Sequence, residues 1–349
     1  MQPNGTLTDF TLEIPEKREI RILQITDMQP VDPGQKRYPE RIKNSEPLTE
    51  EKLYDAIYRF IEDGVKRFSP DLIIATGDLV YGEFDDSGRM LQSLIRYMES
   101  LHLPWEPVFG NHDNESKKGV SWQCRQLEDA PQCLFRRGDL TGNGNYTVGI
   151  TRGGELLRVL YMLDSNGCRG AYRYSFFPGY PHFNEGEKVR TDKGFGDDQV
   201  DWIRESGAAI NRGAGKIVPK FFCFHFAEEM IDQAAQKKGY QTSAEKNREL
   251  YDLDRDNIAL DGDFGKKGQD FSSFSSPAFR EALQKAGGAD GIFIGHDHVN
   301  SVSILCENGI RMTYGLKTGI HDFHDVLGTT AITVSEDGRR FRVEHLYCE

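Results

Sequence analysis

The chain has 349 residues, of which 38% are hydrophobic and 28% are charged, a balance typical of a globular protein with a buried core. Lysine and arginine total 43 against 55 aspartates and glutamates, which gives a formal net charge of -12. This acidic balance argues against binding to long nucleic acid or to anionic membranes, although bound cations can reverse the field locally.

No apolar run reaches the length of about 18 residues that a membrane-spanning helix needs, so no membrane span is expected. The polar start, Met1 to Thr6, lacks the pattern of a signal peptide. We expect a secreted or periplasmic protein if a signal peptide was removed, and a cytoplasmic one otherwise. No CxxC pair occurs. Cys124 and Cys133 are close enough in sequence for a disulfide, but unpaired thiols are the favoured interpretation.

The first half of the chain alternates strand-like and helix-like segments. Strands are predicted at 20–27, 71–78 and 105–112, and helices at 49–68 and 87–101. The first of these helices follows Thr49, a suitable N-cap, and has apolar residues at intervals of three and four. Each predicted strand is an apolar run that ends in a polar residue, which is typical of strands that enter a sheet core.

The second half of the chain has more strand character. Strands are predicted at 156–164, 220–226, 291–298, 310–318, 328–335 and 340–347, and a helix begins at Asp197. Residues 228–276 form a polar, glycine-containing stretch with one candidate helix at 243–251. This stretch is interpreted as an inserted loop or lid over one face, or as an ordered surface excursion with no chemical role. The whole chain, 1–349, is predicted to be a single domain.

Apolar segments in five parts of the chain end in residues that can bind metal ions. These residues are Asp27; Asp78; Asn111 with His112; His225; and His296 with His298. Polar groups at the carboxyl ends of strands lie where α/β proteins bind their ligands. One such ending is weak evidence, because a histidine after an apolar run is more often a buried, hydrogen-bonded residue than a ligand. All five together predict a metal site.

The motifs resemble those of the calcineurin-like metallophosphoesterases, which are Asp-x-His, Gly-Asp-x-x, Gly-Asn-His-Asp/Glu, a lone His, and Gly-His-x-His. The corresponding segments are Asp27-Met28-Gln29, Gly77-Asp78-Leu79-Val80, Gly110-Asn111-His112-Asp113, His225 and Gly295-His296-Asp297-His298, within residues of about 20 to 300. The resemblance implies an α/β (α+β) fold: a four-layer αββα sandwich of two mixed β-sheets flanked by helices, with the metals at one end.

The resemblance also implies a role for each residue. Two metal ions are expected, the first bound by Asp27, His298 and either Tyr81 or Gln29. The second ion would be bound by Asn111, His225 and His296, and Asp78 would bridge the two ions. His112 is expected to donate a proton to the leaving oxygen, with Asp113 orienting it.

One position departs from the family pattern, because Gln29 stands where most members have a histidine ligand. Tyr81, three residues after Asp78, resembles the tyrosine that binds iron in the purple acid phosphatase branch. A phenolate oxygen favours Fe(III), so the expected pair is iron with iron, zinc or manganese. The alternatives are that Tyr81 is a packing residue and that the Gln29 amide oxygen faces the metal or a bound water.

The leading functional prediction is a hydrolase that cleaves a small phosphomonoester by attack of a metal-bridging hydroxide. The alternatives are a phosphodiesterase acting on a nucleotide or lipid headgroup, and a non-catalytic metal-binding homologue with a degraded first site. Arg169, Arg173 and Lys317 are candidates for binding the substrate phosphate, although an ordinary surface role is favoured for each. No obligate protein partner is evident.

Overall fold

The computed structural model describes residues 7–35, 50–166, 194–237, 274–298, 300–306, 308–321 and 327–348. Within these residues there are twelve strands: β1 (Phe10–Glu13), β2 (Ile20–Ile25), β3 (Leu72–Thr76), β4 (Trp105–Val108), β5 (Tyr146–Arg152), β6 (Glu155–Met162), β7 (Lys220–Cys223), β8 (Ala289–Ile294), β9 (Ser303–Leu305), β10 (Arg311–Tyr314), β11 (Gly328–Val334) and β12 (Phe341–Tyr347).

The strands form two mixed sheets. The larger sheet has the order β1-β5-β6-β7-β8-β10-β9, and the smaller has the order β12-β11-β2-β3-β4. In the smaller sheet β2, β3 and β4 are parallel, while β11 runs antiparallel to β2. In the larger sheet β6, β7 and β8 are parallel. The carboxyl ends of each parallel set therefore lie at one edge of their sheet.

Helices cover the outer faces. They are α1 (Glu50–Leu53), which continues through a π-helical turn (Tyr54–Tyr58) into α2 (Arg59–Phe68), then α3 (Arg89–Ser100), α4 (Val120–Glu128), α5 (Asp197–Ala214), α6 (Met230–Lys237) and α7 (Pro277–Ala286). Helix α2 lies against β2 and β11, whereas α5 packs on α7, which contacts β8. The layers are thus helix, sheet, sheet and helix, and the predicted fold class is confirmed.

Alternation along the strands of the larger sheet separates its two cores. Leu160 and Met162 of β6 belong to the core that the larger sheet shares with the smaller one. Val159 and Tyr161 belong to the core beneath α5 and α7. Successive side chains of a strand point to opposite faces, so strands buried on both faces appear as continuous apolar runs. This is why the strand assignments from apolar runs were accurate.

The remaining differences from the predicted elements have local reasons. The strands end at Ile25, Thr76 and Val108, before the polar residues that were included in the predictions. The predicted helix at 49–68 contains the π-helical turn. Strands β1, β5 and β9 and helices α4, α6 and α7 were not predicted.

The stretch interpreted as an inserted lid is described only at its two ends. Residues 238–273, including the candidate helix at 243–251, lie outside the described residues. Glu228 and Phe274 form a bridge, so the two ends of the segment meet. Helix α6 buries Met230 and Ile231 in the core under the larger sheet, and it is therefore part of the fold rather than of a lid.

Two other expectations concern thiols and membranes. Cys124 and Cys133 are free and buried, as the favoured interpretation held. In the part of the chain that the structure describes, no helix combines the length and the apolar character needed to span a membrane.

Candidate metal centre

The predicted ligands come together where strand ends of the two sheets meet. Asp27 follows β2 and Asp78 follows β3 in the smaller sheet, while His225 and His296 follow β7 and β8 in the larger one. Hydrogen bonds join the sheets at this point. The backbone N–H of His296 donates to Asp27 Oδ2 over 3.0 Å, and Nδ1 of His225 lies 2.8 Å from the carbonyl oxygen of Thr76.

The backbone is strained where it delivers these side chains. Asp27, Asp78 and His296 have φ values of 52°, 51° and 75°, in the left-handed region that few side chains favour. The glycines of the motifs permit the close approach of the loops. A Cβ atom on Gly110 would lie 2.1 Å from Asp78 Oδ1, and one on Gly295 would lie 2.1 Å from Thr26 Oγ1. Larger residues would displace the carboxylates themselves.

Asn111, His225 and His296, with Asp78, form what we call the second donor cluster. Asn111 Oδ1 lies 3.1 Å from His225 Nε2 and 3.0 Å from His296 Nδ1. Asp78 Oδ2 is 3.5 Å from His225 Nε2. When Nδ1 of neutral His225 donates to Thr76, its Nε2 carries a lone pair that faces the cluster, as in many metal-binding histidines. Amide, carboxylate and imidazole donors suit zinc, iron or manganese.

Asp27 and His298, with the shared Asp78, form the first donor cluster. Asp27 Oδ1 is 3.3 Å from His298 Nε2. This carboxylate oxygen is buried and has no hydrogen-bond partner among the described residues. Possible ligand atoms of Asp27, Asp78 and His225 all lie within 4.8 Å of one another. A buried anionic oxygen that makes no well-formed hydrogen bond is costly even with the His298 ring 3.3 Å away, and a bound cation would stabilise it, so these donors fit a metal ion.

The buried charged groups of the clusters change one another's pKa values. Burial opposes the charged form of His225, but the carboxylates of Asp78 and Asp27 outweigh it and raise the pKa of His225 to about 9. Burial and the positive charge of His225 lower the pKa of His296 to about 3. The carboxylates thus favour the protonated form of His225 when no metal ion is bound, and a bound metal ion would take the place of that proton.

Gln29 does not present its oxygen to the clusters. Its amide Nε2 donates to Asp78 Oδ2 over 2.9 Å. Its Oε1 accepts a hydrogen bond of 2.6 Å from the Lys317 ammonium. The alternative in which the Gln29 oxygen faces the metal is therefore not what the structure shows. Lys317 itself is buried at 2% exposure, so it is not a surface clamp for substrate phosphate.

Both carboxylate oxygens of Asp113 accept hydrogen bonds from the backbone, and its role in orienting His112 stays a prediction. Its Oδ1 accepts from the backbone N–H of Val80 and its Oδ2 from that of Gly110, over 3.0 and 2.6 Å. Asp113 therefore ties together the loops that carry Asp78 and Asn111. Both of its carboxylate oxygens accept from backbone N–H groups that lie just beyond the ends of β3 and β4.

Glu115 is the carboxylate that holds His112. Its Oε2 lies 2.7 Å from His112 Nδ1, and both side chains are partly exposed. The two residues are three positions apart, with Glu115 at the end of the short 3-10 turn Asp113–Glu115. Residues at this spacing are neighbours on a helical turn, so the three-residue spacing indicates the contact, although Glu115 was not among the predicted site residues.

Tyr81 packs beside His112. The ring centroids of the two residues are 4.2 Å apart, and Phe84 lies edge-on to Tyr81 at 5.0 Å. The tyrosine is mostly buried, at 9% exposure. Its packing role is thus visible, and its ligation of a metal stays a prediction. Arg169 and Arg173 lie outside the described residues.

The four-layer sandwich brings carboxylate, amide and imidazole donors together where its strand ends meet, and such a donor set can hold a pair of metal ions. The chain belongs to the calcineurin-like phosphoesterase family, whose model matches residues 20–300. The family implies dinuclear metal binding, and the two donor clusters are the candidate site for it.

The proteins similar in sequence include several named as phosphatases. "Probable inactive purple acid phosphatase 29" of Arabidopsis thaliana is 24% identical over 325 residues, which cover 87% of this chain and 73% of that protein. An uncharacterized protein of Schizosaccharomyces pombe is 25% identical over 56% of this chain, and the match spans only 34% of that protein. "Phosphatase DCR2" of Saccharomyces cerevisiae is 27% identical over 37% of this chain and 24% of that protein.

A solved structure shows the same fold. A dimetal phosphatase from Danio rerio superposes with a TM-score of 0.56 and 13% sequence identity, covering 94% of this chain and 96% of that one. At this identity the similarity establishes the common architecture and leaves the substrate open.

Proposed function

We propose that this protein is a hydrolase that cleaves small phosphomonoesters at a dinuclear metal centre. The observation that carries the proposal is the position of His112 relative to the second donor cluster. His112 directly follows Asn111, which contacts both His225 and His296, and its side chain keeps 20% exposure. A residue that can donate a proton is therefore adjacent in sequence to a candidate ligand and partly exposed, which supports the proposal.

Each candidate ligand has a proposed role in holding the two ions. Asn111, His225, His296 and Asp78 would hold one ion, and Asp27, His298 and Asp78 the other. When bound, the ions supply positive charge that polarises the phosphoryl group and activates water. Iron with iron, zinc or manganese is the expected pair, on the interpretation that Tyr81 is a ligand. Asn111 contributes a neutral donor, which keeps the centre positive toward an anionic substrate.

His112 is expected to protonate the leaving oxygen. Its Nδ1 faces Glu115 over 2.7 Å, which leaves Nε2 to carry the proton that is transferred. The carboxylate favours the imidazolium, which carries a proton on each ring nitrogen, and holds the ring in one orientation. The ring also rests against Tyr81.

A non-catalytic metal-binding protein is the second candidate. Its support is the position of Gln29, whose oxygen faces Lys317 instead of the metal site, together with the word "inactive" in the name of the Arabidopsis relative. A phosphodiesterase would use the same centre and differ only in the surroundings of the second ester group.

The test uses the full chain loaded with manganese, zinc or iron and assayed with p-nitrophenyl phosphate and bis(p-nitrophenyl) phosphate. We expect the monoester to be hydrolysed faster, and Asp78→Asn to abolish turnover because it removes the shared carboxylate. Asp201→Asn, on the exposed face of α5, is the matched control and should be fully active. Faster hydrolysis of the diester would support the phosphodiesterase, and no turnover with any metal would support the non-catalytic protein.

A further inference from the structure

A buried ammonium group lies beside the first donor cluster. Lys317 is 2% exposed, and its Nζ donates to Gln29 Oε1 over 2.6 Å and to the backbone carbonyl oxygen of Asp27 over 3.0 Å. Gln29 and Asp27 are likewise buried, at 0% and 1% exposure. The cation is therefore held next to a metal ligand in a region that solvent does not screen.

The chemistry of the two partners determines how the Gln29 amide is turned. A lysine ammonium can only donate, so it must face the amide oxygen. A carboxylate can only accept, so Asp78 Oδ2 must face the amide nitrogen, which it does over 2.9 Å. Both contacts specify the same orientation. With Lys317 in place, Gln29 offers no lone pair to a metal and instead occupies an oxygen of the carboxylate that both clusters share.

The two donor clusters are therefore unequal. The first loses a ligand at Gln29 and has a fixed positive charge behind Asp27, which opposes a cation more strongly in a buried region than in water. The second cluster keeps all three of its other donors. His225 Nε2 and His296 Nδ1 already lie 3.1 and 3.0 Å from Asn111 Oδ1. It is preorganised to bind an ion, and the first cluster is not.

We propose that Lys317 is a positioning residue that acts through Gln29 to weaken metal binding in the first donor cluster. The protein then holds one ion tightly in the second donor cluster and another ion weakly in the first. The inference rests on the proposed metal centre but concerns its occupancy, which can be measured without substrate. Where a metal ligand would stand, the Lys317–Gln29 pair presents a positive charge and an N–H donor. The ion in the first donor cluster would therefore bind only at a high metal concentration.

The test measures zinc binding to the full, chelator-treated chain by calorimetry, and zinc retention after desalting by elemental analysis. Wild type should retain one ion per chain. Its calorimetric titration should show a second, weaker zinc-binding step, which corresponds to the first donor cluster. Lys317→Met, which removes the charge at similar length, should lower the Kd of the second step by about tenfold or more. Lys317→Arg, which keeps the charge, should behave like wild type.

Gln29→Glu provides a second route to the same result if Lys317→Met does not fold. It keeps the shape and the hydrogen bond to Lys317 but turns an oxygen toward Asp78, so it should also tighten the second step. Lys220→Met is the matched control, because Lys220 is another buried lysine whose Nζ bonds to Asn211, Val218 and Gly287 rather than to a metal ligand. Its second step should equal that of wild type.

Two equal, tight zinc sites in wild type would overturn the inference, as would second steps that are unchanged or weaker in both Lys317→Met and Gln29→Glu. Phosphoester turnover is measured separately on the same preparations. Unequal binding without turnover would overturn only the proposed function, and equal binding with turnover would overturn only the role of Lys317.

Discussion

Glu115 Oε2 lies 2.7 Å from Nδ1 of His112, so the histidine at the edge of the metal centre is held by a carboxylate three residues further along the chain. The neighbouring Asp113 is occupied by the backbone N–H groups of Val80 and Gly110. Glu115 thus holds the His112 ring, and Asp113 attaches the loop that carries it to neighbouring backbone. The two functions can be separated by substitution.

Replacement of His112 or Glu115 should impair proton donation without removing metal. We expect His112→Ala to lower turnover by about 100-fold or more, and Glu115→Gln by a smaller factor, because a neutral amide stabilises the protonated ring less than a carboxylate does. The defect should be larger with phenyl phosphate than with p-nitrophenyl phosphate, whose leaving group needs less protonation. Elemental analysis should show wild-type metal content in both variants.

Glu205→Gln, on an exposed position of α5, is the control for removal of a glutamate charge and should have wild-type kinetics. Equal defects with both leaving groups would contradict a role in proton donation. Loss of metal from His112→Ala would show that this histidine is a ligand.

Tyr81 can be tested as an iron ligand independently of its packing. If its phenolate binds Fe(III), the iron-loaded protein should have a visible charge-transfer band, and Tyr81→Phe should lose that band. Phenylalanine keeps the ring that lies 4.2 Å from His112 and 5.0 Å from Phe84, so unfolding midpoints of the two proteins should be similar. An iron-loaded wild type without colour would rule out ligation and leave packing as the role of Tyr81.

Glu106 is expected to limit the stability of the fold. It lies on β4 with 0% exposure, and neither carboxyl oxygen has a hydrogen-bond partner among the described residues. Burial holds the pKa of Glu106 well above its usual value. The unfolded chain therefore loses this proton at a lower pH than the folded one, and the stability present below pH 4.5 declines as pH rises toward the folded pKa.

Glu106→Met should raise the free energy of unfolding by about 1–3 kcal/mol at neutral pH, because it removes unsatisfied buried polar atoms. Urea denaturation over a range of pH should show a flatter profile than in wild type. Glu106→Gln separates the two effects, since it cannot ionise but keeps polar atoms without partners. A variant with methionine that is less stable than wild type at neutral pH would contradict this account.

His345 is expected to destabilise the protein in acid. Its Nε2 faces the carbonyl oxygen of Ser301 at 2.7 Å, and its Nδ1 faces the hydroxyl of Thr330 at 2.8 Å. The same hydroxyl accepts a hydrogen bond from the backbone N–H of Leu316 and can give its proton to Nδ1. The ring is thus satisfied in its neutral form, and burial lowers its pKa from 6.5 to about 4.

The folded pKa of His345 lies below the unfolded value, so the unfolded chain binds the proton first as pH falls. The stability that is fully present above pH 6.5 is lost progressively down to about pH 4. His345→Gln cannot take up this proton, and the difference in unfolding free energy between wild type and variant should shrink across that window. A difference that does not change with pH would show that His345 does not titrate there.

The sequence by itself determined the strand framework and indicated most of the candidate donors. Apolar runs ending in Asp27, Asp78, Asn111, His225 and His296 indicated strands with ligands at their ends. This inference succeeds because burial on both faces of a sheet imposes continuous apolar runs, and parallel strands bring their carboxyl ends to one edge. The fold class followed from the motifs, although the short strands β1 and β9 and the interruption of the first helix did not.

Only the tertiary structure decided which polar groups contact one another inside the site. Lys317 and Gln29 are 288 residues apart, and no local pattern relates them. Asp113 and Glu115 are both acidic neighbours of His112, and the folded loops bring Asp113 to the backbone N–H groups of Val80 and Gly110 and Glu115 to the histidine ring. Hydrogen bonds are short and directional, so which groups they join depends on the final positions of the atoms. Apolar burial is non-directional, and it produces a periodic pattern of apolar residues that can be recognised in the sequence.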